Sequence, residues 1–130
     1  MAKMKDILEN FSEKFPILNK TYELYQSASE ISSSEENTLR KSAEITILEI
    51  LELIVIATRQ AKVDKKQTLK QAMRKLDTMK VFADMAAQLE LVNETKYNQI
   101  HEGLNSVGAM LGGWLKSVSA AVAEAPAATK

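Results

Sequence analysis

The sequence holds no cysteine, one histidine, two prolines and four glycines among 130 residues. Without cysteine, neither a disulfide framework nor a thiolate-ligated metal can form. One histidine cannot supply the paired Glu-x-x-His motifs of a di-iron bundle, and the residue three before His101 is Asn98. No Ser, His and acid arrangement points to nucleophilic catalysis. The carboxylate pairs Glu35/Glu36 and Glu49/Glu52 read as a helix cap and a helix face rather than an acid/base dyad. The expectation is therefore a chain without metal or cofactor and not an enzyme. No long apolar run exists either. "ITILEILELIVIA" (Ile45–Ala57) carries Glu49 and Glu52 and is too short to span a bilayer. The first residues show no secretory signal pattern, so a cytoplasmic location without membrane contact is expected.

So few helix breakers, with abundant Ala, Leu, Glu and Lys, imply an all-α chain, and its length suits one domain. Pro16 disfavours helical geometry at Phe15 and is well placed to open a helix. A first helix is predicted from Pro16 to about Glu30, with Ile17, Tyr22 or Leu24, Tyr25 and Ala28 on its apolar side. Residues 1–15, with Ile7, Leu8 and Phe11, form either a short separate helix or a mobile arm. "SSSEEN" (Ser32–Asn37) is a break with a capping box, Ser33 and Glu36, before a second helix reaching about Ala61. Asp64 with Gln67 repeats that signature and opens a third helix to about Val92. Asn93, although part of a glycosylation sequon, reads as the cap of a fourth helix, with Glu94 in its first turn. Residues 120–130 read as a disordered tail, leaving 16–119 as the domain.

Short connections between long helices predict an up-down antiparallel four-helix bundle. The fourth helix shows the cleanest seam: Tyr97, Ile100, Leu104, Val107, Leu111, Trp114 and Val118. Leu69, Ala72, Leu76, Met79, Ala83, Ala86 and Leu89 give the third helix the same rhythm. The second helix is broader. Its apolar residues, including Ile47, Ile50 and Ile54, cover an arc of about 220°, roughly twice what one core requires. Burial of that excess against another copy of the chain, hence a homo-oligomer, is expected.

All four glycines (Gly103, Gly108, Gly112, Gly113) fall within eleven residues of the fourth helix, where each costs about 1 kcal/mol relative to alanine. Gly108 and Gly112 share a face beside the seam. Close approach of a neighbouring helix, within or between subunits, offsets that cost. With Trp114 they mark a packing or oligomer interface, and His101 is expected half-buried nearby.

"VGAMLGGWLKSV" (Val107–Val118) resembles the C-terminal helix of a bacterial four-helix-bundle family. That family comprises the accessory variability determinant (Avd) proteins of diversity-generating retroelements and the ribosomal RNA intervening-sequence proteins. "KTYELY" (Lys20–Tyr25), "KLDTMKVF" (Lys75–Phe82) and "ETKYNQI" (Glu94–Ile100) fall in matching order, so the resemblance covers about residues 16–119. It implies a homopentameric barrel of bundles that binds the retroelement's reverse transcriptase and template RNA, supporting mutagenic retrohoming without catalysis of its own. The intervening-sequence type supplies the alternative: an oligomeric scaffold with no nucleic-acid binding.

The net charge of zero hides an uneven distribution. Residues 59–80 carry eight basic and two acidic side chains, net +6. Arg59, Lys62, Lys65, Lys66, Lys70, Arg74 and Lys75 are the candidate contacts for nucleic acid or polymerase. Lys66, Lys70 and Arg74 recur every four residues on one stripe suited to phosphates. The plain alternative is a solvated face paired with glutamates of neighbouring helices. No aromatic residue interleaves with these cations, so base stacking has little support.

Overall fold

A computed structural model describes residues 16–31 and 38–124 of the chain. The expected N-terminal arm, the Ser33/Glu36 capping box and the tail beyond 124 lie outside the described residues. Four helices follow in order: α1 (Pro16–Ala28), α2 (Thr38–Thr58), α3 (Lys62–Gln88) and α4 (Glu94–Glu124). Among the described residues no strand occurs, and the architecture is an all-α four-helix bundle. No described helix is long and apolar enough to cross a membrane.

The directions follow from named contacts. Asp84, Leu76 and Lys65 of α3 lie against Tyr97, Gly108 and Trp114 of α4, so one helix descends as the other rises. Glu30 pairs with Lys96 and Leu24 packs on Gly103, which sets α1 antiparallel to α4. Lys75 reaches Glu49 across α2 and α3 at 3.3 Å. Each helix touches two neighbours around a square, α1 meeting α2 and α4, and α3 meeting the same two.

Helical period explains what fills the centre. Ile100, Leu104, Val107 and Leu111 of α4 are fully buried, as are Leu69, Ala72, Met79 and Ala86 of α3. From α2 come Ile47, Ile50 and Ile54, and from α1 Leu18 and Leu24. Burying one such side chain contributes about 1.5–3 kcal/mol. Two buried threonines stay satisfied because each hydroxyl donates to the carbonyl four residues back: Thr21 to Ile17 and Thr46 to Ser42, both at 2.7 Å. Of the seam predicted for α4, Ile100, Leu104, Val107, Leu111 and Val118 are buried, with Tyr97 and Trp114 half-buried against the core, whereas Leu89 of the predicted α3 seam is 60% exposed.

Several boundaries differ from expectation for local reasons. Pro16 does occupy the first position of α1. Asp64 does not cap α3. The helix begins at Lys62 after an extended Ala61 that makes no side-chain cap bond, and Asp64 N–H already donates to the Ala61 carbonyl. It still places a negative charge in the first turn, where the helix dipole favours one. Asn93 does cap α4, its Oδ1 accepting from the Lys96 N–H at 2.7 Å. That helix runs to Glu124, past the expected end at 119.

Helix α3 stops at Gln88 rather than Val92, and the stop has a clear cause. Glu90 adopts φ 57°, the left-handed region, and two hydrogen bonds close the turn behind it. Leu91 N–H donates to the Ala86 carbonyl at 2.9 Å, and Glu90 N–H to that of Ala87 at 3.1 Å. This is a Schellman stop with glutamate where glycine is favoured, at a strain of about 1–2 kcal/mol. Leu91 packs back onto the core, holding the strained residue in place. Glu90→Gly is therefore expected to raise the melting temperature by about 3–5 °C in thermal denaturation, and Glu90→Val to lower it.

Candidate interaction surface

The basic segment spans the α2–α3 turn and the first half of α3, and α3 sorts its cations by helical angle. Lys70 and Arg74 are exposed on the outward side, opposite the buried Leu69, Ala72 and Leu76, while Lys66 is half-buried beside them. Successive members of this row stand about 6 Å apart along the axis. Arg59 and Lys62 are exposed at the adjoining turn. Among the described residues Arg59, Lys62, Lys66, Lys70 and Arg74 enter no ion pair. Lys75 and Lys65 do not belong with them. Lys75 turns toward α2 and pairs with Glu49, and Lys65 places its ammonium 5.8 Å from the ring centre of Trp114. Seven expected contacts thus divide into five outward cations and two occupied ones.

The outward face of α3 is not purely basic. Val63 and Val81 are 62% and 56% exposed, Met85 is also exposed, and Asp77 lies on the same stripe beside Lys80. The period of the sequence already places these apolar residues opposite the core. Between α2 and α3 an open groove of about 390 Å³ sets Glu49 and Glu52 against Arg74 and Lys75. Its walls balance, so it concentrates neither sign of charge. Among the described residues no cluster of His, Asp and Glu is placed to hold a metal ion.

The interface residues also divide. Ile47, Ile50 and Ile54 are fully buried inside their own bundle, so they are helix-packing residues with no surface left for a second copy. The surplus of α2 lies elsewhere: Ile45, Leu48 and Ile56 are exposed, interspersed with Glu49, Glu52 and Arg59. Trp114 is half-buried. Gly108 meets the expectation, because a Cβ there would come within 3.1 Å of Leu76 Cδ2. Gly112 meets no close neighbour among the described residues, since a Cβ there would find nothing within 4 Å.

His101 is exposed rather than half-buried. Its Nδ1 lies 3.2 Å from Asn105 Nδ2, and its ring tilts against that of Tyr97 at 5.7 Å between centres. Tyr97 in turn donates its hydroxyl to Asp84 Oδ1 at 2.7 Å. That hydrogen bond, then desolvation and the carboxylate's charge, hold the phenol above its usual pKa of 10.0. The group joins α3 to α4.

Compared with known proteins, the chain matches no family model and no curated protein.

Gly112→Ala is expected to stabilise an isolated chain by about 1 kcal/mol, because helix propensity rises and nothing obstructs the methyl group. Gly108→Ala gains less or loses, since Leu76 must move. A Gly112→Ala protein that melts lower, or sediments as a smaller assembly, would place Gly112 against another copy. The raised pKa of Tyr97 has a sign that can be checked. The folded state holds the phenolic proton more tightly, so this stabilisation is complete below pH 10 and lost as pH rises through the folded pKa. Asp84→Asn should bring the ultraviolet absorbance of the Tyr97 tyrosinate in at lower pH.

Proposed function

We propose that the chain is a non-catalytic accessory protein of the Avd type, in which the outward face of α3 contacts the reverse transcriptase and template RNA of a diversity-generating retroelement. One observation carries this reading. Lys66, Lys70 and Arg74 form a row along α3 with no carboxylate partner among the described residues, while Lys75, Lys65 and Lys80 are engaged with Glu49, Trp114 and Asp77. Unpaired cations in a row supply the electrostatic, sequence-independent part of RNA affinity. The likeness of Val107–Val118 to the Avd helix supplies the class, and assembly as a homopentamer would cover the exposed Ile45 and Ile56 and the open space beside Gly112.

A second reading has its own observation. Val63 on one side and Val81 and Met85 on the other flank the basic row with exposed apolar surface, which suits a protein partner better than phosphates. That favours the intervening-sequence alternative, an oligomeric scaffold without nucleic-acid binding.

Two measurements separate them. Charge reversal of Lys66, Lys70 and Arg74 is expected to weaken RNA binding at least tenfold. It should also flatten the dependence of log K on log salt by about two, at roughly 0.7 per lost phosphate contact on a single strand. Reversal of Lys20 and Lys116, on other faces, should change neither. Native mass spectrometry should show about 72 kDa, five chains of 14.5 kDa, gaining one polymerase. Five chains that ignore both polymerase and RNA would move the function to the scaffold reading. A monomer that binds neither would overturn both.

A further inference from the structure

The groove between α2 and α3 lies directly beside the basic row, since Arg74 belongs to both. Its volume of about 390 Å³ falls in the range of small-ligand sites. Glu52 and Leu53 line it from α2, and Gln71 and Arg74 line it from α3. These side chains are not equally occupied. Glu49, deeper along the α2 wall, is engaged by Lys75 Nζ at 3.3 Å. Glu52 and Gln71 are exposed, and neither has a side-chain partner among the described residues.

A phosphate does not suit this groove, because its two carboxylates repel an anion. A neutral base does. Glu49 and Glu52 balance Arg74 and Lys75, and the walls offer a free acceptor and a free amide beside the half-buried Leu53. Among the described residues no aromatic ring lines the groove, so a base would be held there by its edge rather than between rings.

The acceptor selects the base. A carboxylate presents two acceptor oxygens and no donor. Guanine is the RNA base whose Watson–Crick edge offers two adjacent donors, N1–H and N2–H. Uracil offers N3–H between two carbonyls, and adenine and cytosine set one amino donor beside a ring-nitrogen acceptor. Those acceptors would face the lone pairs of Glu52 and be repelled.

We propose that this groove takes one unstacked guanine of a single-stranded RNA whose phosphates follow Lys66, Lys70 and Arg74. Glu52 accepts from N1–H and N2–H, and Gln71 on the facing helix donates to O6. Leu53 and the aliphatic stem of Arg74 cover the faces of the base. This site presupposes the RNA contact proposed above: the row supplies affinity without regard to sequence, and the groove supplies the base preference.

Fluorescence polarisation with short synthetic RNAs tests this on the full chain. Three uridine oligomers of equal length are compared: one all uridine, one with a single guanosine, and one with inosine in that place. Inosine keeps N1–H and O6 and lacks the N2 amine. The wild-type chain should bind the guanosine oligomer about tenfold more tightly than all-uridine, as a bidentate base contact does. Inosine should forfeit most of that gain. Glu52→Gln should bind all three within about twofold of one another, with unchanged helical circular dichroism because Glu52 is exposed. A guanosine preference that survives Glu52→Gln, or inosine bound as tightly as guanosine, would overturn the guanine site. Equal, salt-sensitive binding of all three oligomers by the wild-type chain would overturn it too, yet leave the RNA contact standing. A wild-type chain that binds none of them would overturn both.

Discussion

The apolar seam Ile100–Leu104–Val107–Leu111 on α4 is the surface on which the rest of the molecule depends. Helices α1 and α3 pack directly against α4, and α2 closes the square by meeting both of them. Because the seam repeats in steps of three and four, it fixes which side of α4 faces inward and therefore which residues are left outside. Gly103 and Gly108 flank that seam and let Leu24 of α1 and Leu76 of α3 come close to the α4 backbone. Two of the four glycines thus have a reason within the chain.

That dependence explains what was legible in the sequence. Period decides burial, so the α4 seam and most of the α3 seam were readable residue by residue, as was the Asn93 cap. The stop of α3 was not. A Schellman stop announces itself by glycine, and here Glu90 holds the left-handed position, kept there by Leu91 packing on the core. Asp64 misled for the opposite reason. A capping pattern was present, but α3 starts at Lys62, and a carboxylate one turn in serves the helix dipole without capping.

The candidate surface was less legible, because charge composition does not state which face a cation occupies. The basic segment is continuous in sequence, yet α3 turns Lys75 toward Glu49 and Lys65 toward Trp114 while Lys70 and Arg74 point outward. A helical angle separates these groups; a net charge of +6 over the segment does not. The same holds for α2. Counting its apolar residues suggested a surface for a second copy, and the surplus exists, but at Ile45, Leu48 and Ile56 rather than at Ile47, Ile50 and Ile54.

Helices α3 and α4 meet two different demands on their two sides. Contacts to RNA or polymerase would use the outward side of α3, where exposed cations cost little because water already solvates them. The inner side of α3 instead packs on α4, where Leu76 lies against Gly108. Lys65 stands between the two regions, reaching inward to Trp114 from a helix whose other free cations reach outward. A lysine tolerates that position because its methylene stem packs on apolar surface while the ammonium meets the indole face.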